Sequence, residues 1–202
     1  MTVIEQPAGN YFDKYNTRNP IARNLMTRFL RTFDELIGTT QATHALEVGC
    51  GEGELSIRLA KRGMQVRGYD IAEEAVLEAR CRAKGAGVEI PFATSAIEDL
   101  SDVTPSPLVV CCEVLEHVAD PSAGLQTLAR LSQEWLIVSV PREPLWRALN
   151  VIRGKYLREF GNTPGHINHW SRPAFVELVS RYFSIVELRS PIPWTMLLCR
   201  RL

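Results

Sequence analysis

Leu46-Glu47-Val48-Gly49-Cys50-Gly51-Glu52-Gly53-Glu54-Leu55 decides the fold. A short apolar run, Ala45, Leu46 and Val48, ends in glycines at 49, 51 and 53, and a helical pattern starts at Leu55. That is a strand entering a tight glycine turn and then a helix N-terminus. Glycines there reach positive φ and let a ligand lie against bare backbone, and the helix end adds N–H groups without intrahelical partners. The spacing is not the Gly-x-Gly-x-x-Gly of dinucleotide sites, which seats a pyrophosphate on the helix end. Glu47, two residues before the first glycine, is a poor neighbour for phosphate and a good one for a cationic ligand.

Working outward, Val66-Arg67-Gly68-Tyr69-Asp70-Ile71 is a second short strand closing on Asp70, 17 residues after Gly53. In doubly wound folds an acid at this place accepts hydrogen bonds from ribose hydroxyls. Glycine turn and acid together describe a nucleoside site. Glu47–Gly53 and Asp70 resemble the first and second motifs of the class I S-adenosylmethionine-dependent methyltransferases, and the resemblance spans roughly residues 40 to 140. It implies S-adenosylmethionine as cofactor. Gly49 and Gly51 would line its methionine part, Glu47 would help hold the amino group, and Asp70 would hold the ribose. Cys50, Gly53, Ile71 and Cys112 complete the implied cofactor site. Ser95, Ala96 and Ile97 would face the adenine, although many relatives carry an acid where Ser95 stands.

At 202 residues the chain reads as a single methyltransferase domain, 1–202, long enough to bury about 70% of its unfolded surface. Lys plus Arg equals Asp plus Glu, 23 of each. That balance disfavours a general nucleic-acid binder, in which a basic surplus supplies most of the affinity. No apolar run approaches the length of a membrane span, and Met1 to Asn10 lacks the basic start and apolar core of a secretory signal. The five cysteines show no metal-type pairing and read as reduced, mostly buried thiols, so the expected location is cytoplasmic. A homodimer is compatible with the chain, which does not specify its assembly.

Residues 1–38 read as an N-terminal arm, with Tyr11, Phe12 and Tyr15 placed to dock, followed by a cap helix opened by Pro20. The helix carries apolar residues at Ile21, Leu25, Phe29, Phe33 and Leu36-Ile37, and Gly38 is its expected stop. Strands near 44–48, 65–69, 88–92, 108–112 and 135–140 then alternate with helices 54–62, 72–84 and 121–133. Ser171 caps a last helix from about 172 to 182, with Pro173 in its first turn, and strands near 184–188 and 195–200 finish the chain. The alternation predicts a Rossmann-like, doubly wound, mostly parallel seven-stranded α/β sheet. Ligands in such sheets bind at the carboxyl ends of the strands, and Glu47–Gly53, Asp70, Ser95–Glu98, Cys112–His117 and Pro141 onward all fall on that edge.

Cys112-Glu113-Val114-Leu115-Glu116-His117 follows the fourth strand. In a helical turn Glu113, Glu116 and His117 project from one face, and two carboxylates with an imidazole can bind a divalent cation. Oxygen ligands suit Mg²⁺, and an added imidazole moves preference towards Mn²⁺, iron or zinc. The alternative is that the acids only cap the turn or contact the cofactor. Gly165-His166-Ile167-Asn168-His169-Trp170-Ser171 places two more of the four histidines just before the late helix.

The Glu-x-x-Glu-His element resembles ubiquinone-pathway O-methyltransferases, which act on catechol-type hydroxyls. With the histidine ahead of Trp-Ser-Arg it also resembles small-RNA 3′-terminal 2′-O-methyltransferases, a match that puts His166 at the place of a fourth ligand. The resemblance implies a metal set of Glu113, Glu116, His117 and His166. Without a metal, His117, His166 and His169 remain as catalytic candidates, with one of the last two as general base and the other structural.

Residues 141–170 form the expected substrate-side insertion. It carries Arg142, Arg147, Arg153, Lys155 and Arg158 against Glu143 and Glu159, and Trp146, Leu149, Ile152 and Tyr156 approximate a helical stripe that could pack as a lid. The other reading is a solvated helix with snorkelling arginines. Pro191-Ile192-Pro193-Trp194 offers a wall. The expectation is an S-adenosylmethionine-dependent O-methyltransferase for a small hydroxylated acceptor, a sugar or a phenol with neighbouring hydroxyls, assisted by Mg²⁺ or Mn²⁺. Alternatives are RNA 3′-end methylation, metal-independent N- or O-methylation with a histidine base, a non-catalytic cofactor-binding subunit, and a nicotinamide enzyme.

Overall fold

The structure is a computed structural model and describes residues 19–154 and 156–202. The expected arm, with Tyr11, Phe12 and Tyr15, lies outside the described residues. Asn19 caps helix α1 (Pro20–Thr40) by accepting from the amides of Ile21 and Ala22. The alternation then runs β1 (His44–Val48), α2 (Glu54–Lys61), β2 (Gln65–Asp70), α3 (Glu73–Gly85), β3 (Phe92–Thr94), β4 (Ser106–Cys112), α4 (Pro121–Leu131) and β5 (Ser132–Pro141). Helix α5 (Leu145–Ile152) lies in the insertion, and α6 (Arg172–Ser180), β6 (Phe183–Arg189) and β7 (Trp194–Arg201) close the chain. The strands form one seven-stranded sheet in the order β3-β2-β1-β4-β5-β7-β6, with only β7 antiparallel to its neighbours. The chain order reverses between β1 and β4, which is the switch point at which such sheets bind ligands.

The alternation of strand side chains divides the core into two layers. Ala45, Leu108 and Val110 face Phe29, Phe33, Leu36, Leu59 and Ala79 on one side of the sheet. Leu46, Val109 and Cys111 face Leu125, Leu128, Phe175 and Val179 on the other. Phe29, Phe33, Phe175 and Phe183 are fully buried, and truncating any one to alanine costs about 3–5 kcal/mol.

Three expectations change. Helix α1 continues through Gly38 to Thr40 and ends on Gln41 in the left-handed region, and Ile21 is exposed rather than part of the buried stripe. Packing of Leu36, Ile37 and Thr40 outweighs the glycine penalty, because nothing crowds the missing Cβ of Gly38. The third strand sits at 92–94 rather than 88–92, since its pairing to β2 is fixed by Gly68 opposite Phe92. Helix α5 stops at Ile152, so the stripe through Tyr156 is not one helix.

Candidate active site

The glycine turn is built around its backbone. Gly49 and Cys50 amides both donate to the Tyr69 carbonyl, which lashes the turn to the end of β2. Asp70 completes the hinge: its carboxylate accepts from the Gly51 amide at 2.7 Å and from the Ala72 amide at 2.9 Å. The three glycines have φ of 75, 51 and 82°, in the left-handed region. Two of them also need to lack a side chain. A Cβ on Gly49 would stand 2.1 Å from Val114 Cγ2, and one on Gly53 would press on Ala79 and Phe92 at 3.0 and 3.1 Å. A Cβ on Gly51 would meet nothing within 4 Å, so this glycine faces open space where a ligand can approach the backbone. Glu52 of the turn is paired with Arg82 of α3 at 2.7 Å.

Glu47 is buried beneath the turn and accepts from the Ser56 hydroxyl. Burial pushes its carboxyl up to about 8, against the pull of the Ser56 bond and reinforced by Asp70. The residue therefore carries its proton near neutrality, and a cation brought beside it would draw the proton off. Ile71, just past the end of β2, is 59% exposed. Ser95 donates its amide to the Asp70 carbonyl and its hydroxyl to the Ala96 carbonyl, and Ile97 is buried in the short turn Ile97–Asp99. Cys50 and Cys112 are buried free thiols, pushed up by burial, and so act as small apolar lining rather than as nucleophiles.

The segment after β4 differs from a helical turn with three ligands on one face. Glu113 has φ 62°, and the helical turn that follows is a single 3₁₀ turn, Leu115–His117. The Glu113 carboxylate points the other way: it accepts from Ser139 Oγ at 3.0 Å and from Trp194 Nε1 at 2.5 Å. It pins this segment to β5 and β7. What the structure does bring together is Glu116, His117 and His166, with donor atoms all within 4.8 Å of one another. Glu116 and His166 are buried and His117 is exposed.

The insertion reaches this cluster through a set of backbone bonds. The amides of Ile167 and Asn168 donate to the Glu116 carbonyl, and the Asn168 side chain donates to the carbonyls of Leu115 and Val118 at 3.1 and 2.6 Å. His117 Nδ1 donates to the Gly165 carbonyl at 2.9 Å, which leaves the lone pair on Nε2. The His117 and His166 rings meet edge to face at 4.9 Å, and His166 stacks on Trp146 of α5 at 6.0 Å. Trp146 in turn lies 5.8 Å from Trp194, whose other side meets Phe29 at 5.0 Å. His169 is not part of the cluster. Its Nε2 donates to Asn162 Oδ1 at 2.7 Å, and it stands near Glu143, whose carboxyl burial pushes up. Sequence reasoning assigned no role to Ser56, Ser139 or Asn168. Asn168 had one signal, a polar amide between two histidines in a segment that must be fastened to the rim.

A glycine turn lashed to a strand-end acid at the switch point, beneath a rim carrying a carboxylate and two imidazoles, defines a class I S-adenosylmethionine-dependent methyltransferase domain. The Methyltransferase domain family matches the chain over residues 45–134. The ubiquinone biosynthesis O-methyltransferase of Xanthomonas euvesicatoria is 31% identical over 175 residues, 83% of this chain and 72% of that protein. The enzyme of the same name from Idiomarina loihiensis is 45% identical over 87 residues, 42% of this chain and 36% of that one. The chain thus spans from about a third to about seven-tenths of the length of these relatives. Among solved structures, magnesium protoporphyrin IX methyltransferase from Synechocystis PCC 6803 with bound SAH has a TM-score of 0.71 at 24% identity, over 93% of this chain and 90% of that one. The chain belongs to the family of the ubiquinone biosynthesis O-methyltransferases.

Proposed function

We propose that the chain transfers the methyl group of S-adenosylmethionine to a hydroxyl oxygen of a small molecule with a second hydroxyl beside it, a catechol-type phenol or a sugar diol. The observation that carries this reading is the cluster of Glu116, His117 and His166 on the rim above the glycine turn. The O-methyltransferase names of the relatives support it. Methyl transfer is an in-line displacement: the acceptor oxygen bonds the methyl carbon, the carbon–sulfur bond breaks, and the sulfonium becomes a neutral thioether. The chain must chiefly align the acceptor and keep water out. A phenol or sugar hydroxyl is a poor nucleophile at neutral pH, and an imidazole on the rim takes its proton as the oxygen attacks. His117 is the better placed, because its Nδ1 bond to Gly165 orients the ring and leaves Nε2 as the basic nitrogen.

One carboxylate and two imidazoles within 4.8 Å fit a divalent cation, with Mn²⁺ suited better than Mg²⁺ by the nitrogen donors. Glu116, His117 and His166 would hold it, and it would lower the pKa of a bound hydroxyl. Glu113 is committed to Ser139 and Trp194 and is not part of the proposed set. The test is transfer of labelled methyl from S-adenosylmethionine to a catechol, a lone phenol and an aromatic amine, with and without chelator. The reading expects label on the catechol oxygen, lost with chelator and restored by Mn²⁺. Transfer that persists in chelator would leave the histidine base without the metal. Label on the amine alone would overturn oxygen methylation.

A further inference from the structure

We propose that Ser56 is a positioning residue of the cofactor site, whose hydroxyl partners Glu47 in both of its protonation states and so couples cofactor binding to the release of one proton. Alternation along β1 puts Glu47 on the same face as Ala45, which shares a core layer with Leu55 and Leu59 of α2. Helix α2 starts above that face. Gly53 offers it no side-chain cap, and its first intrahelical bond runs from the Ile57 amide to the Gly53 carbonyl. The Ser56 amide therefore has no intrahelical partner. Both the hydroxyl and the amide of Ser56 turn to the Glu47 carboxyl. Ser56 is 0% exposed and Glu47 3%, so water does not stand in for either group.

Buried carboxylates are as a rule paired with a cation, and Glu47 is not. Among the described residues it makes no ion pair. The charged groups that act on it are both acids, Asp70 from the end of β2 and Glu54 from the first turn of α2. The neighbouring thiols of Cys50, Cys111 and Cys112 are themselves pushed up and stay neutral. With no cation at hand, burial holds the Glu47 carboxyl at about 8. S-adenosylmethionine and S-adenosylhomocysteine both carry an ammonium, which supplies the missing charge. On binding, the carboxyl O–H bond breaks, the proton leaves to solvent, and the carboxylate pairs with the ammonium. One hydroxyl suits both states: it accepts from the acid and, rotated about its C–O bond, donates to the carboxylate. The bond to the charged form is the stronger, so Ser56 favours the bound state. The coupling is independent of the acceptor and of the rim cluster.

The experiment is calorimetric titration of the full chain with S-adenosylhomocysteine between pH 6 and 8.5, in buffers of different ionisation enthalpy. It compares wild type, Ser56→Ala, Glu47→Gln and the double variant. Wild-type affinity should rise by up to about tenfold per pH unit and level near pH 8, with close to one proton released at pH 7. Ser56→Ala removes a single oxygen and places a strong helix former in the first turn, so it should keep the wild-type circular dichroism spectrum. Its affinity should be about tenfold lower at pH 7 and still rising at pH 8.5. Glu47→Gln should release no proton, and adding Ser56→Ala to it should change affinity by less than about twofold. Wild-type affinity that does not vary with pH would overturn the proposal. So would a Ser56→Ala loss of the same factor at every pH, the mark of a merely structural role, or the full loss in the Glu47→Gln background.

Discussion

Replacing Glu47 by glutamine tests how the floor of the glycine turn is built. Glu47 is fully enclosed, and burial raises its carboxyl from 4.5 to about 8 in the folded chain. The unfolded chain ionises the same group near the ordinary value. Between these limits the native state keeps a proton that the unfolded state has released, so rising pH favours unfolding. The penalty is absent below pH 4.5, grows through neutrality and is complete above pH 8. Three and a half pH units at about 1.4 kcal/mol each set it at roughly 5 kcal/mol. In Glu47→Gln the amide would keep a partner for the Ser56 hydroxyl and has no charge to bury. Urea unfolding of both proteins should show a small difference at pH 5 and a variant more stable by several kcal/mol at pH 8.5. A gap that does not change with pH would refute the reasoning, and so would a wild type that gains on the variant as pH rises. The same linkage predicts proton release when S-adenosylhomocysteine brings its ammonium to the site, read by calorimetry in two buffers of different ionisation enthalpy.

Gly49→Ala should lose about 2–5 kcal/mol, because its Cβ meets Val114 at 2.1 Å and its φ is 75°. Thermal melts should show partial recovery when Val114→Ala is added, since the clash goes and the backbone strain stays. Trp194→Phe removes the donor to the half-buried Glu113 carboxylate at 2.5 Å and should cost about 1–2 kcal/mol in denaturant unfolding. Asn168→Ala removes two bonds to the Leu115 and Val118 carbonyls. Hydrogen exchange should then show faster exchange of the Ile167 amide, which donates to Glu116, while β4 amides exchange as in wild type.

The sheet was legible because its determinants are local. Alternating apolar strands, the glycine turn and the Ser171 cap act over a few residues. The strand-end acid Asp70 was legible for the same reason, and its observed bonds go to backbone amides that shape the turn. The rim was only half legible. Glu113, Glu116 and His117 share a helical spacing, but positive φ at Glu113 turns its side chain towards Ser139 and Trp194, residues from strands distant in the sequence. In the sequence only the family resemblance separates His166 from His169. Contacts with Trp146 and His117 select the first, and Asn162 takes the second. The insertion allowed two readings, a lid or a solvated helix, because its stripe of Trp146, Leu149, Ile152 and Tyr156 looked continuous. Helix α5 breaks after Ile152, and Trp146 is the stripe residue that reaches His166.

Glu116, His117 and His166 form the proposed reaction centre. The most direct measurement is single-turnover methyl transfer to a catechol by wild type and His117→Ala, with S-adenosylhomocysteine affinity measured on the same preparations. The expected result is a rate lower by about a hundredfold or more in the variant, as for loss of a group acting on the acceptor proton, with cofactor affinity unchanged. An unchanged rate in the variant, or a rate that falls only in step with cofactor affinity, would contradict it.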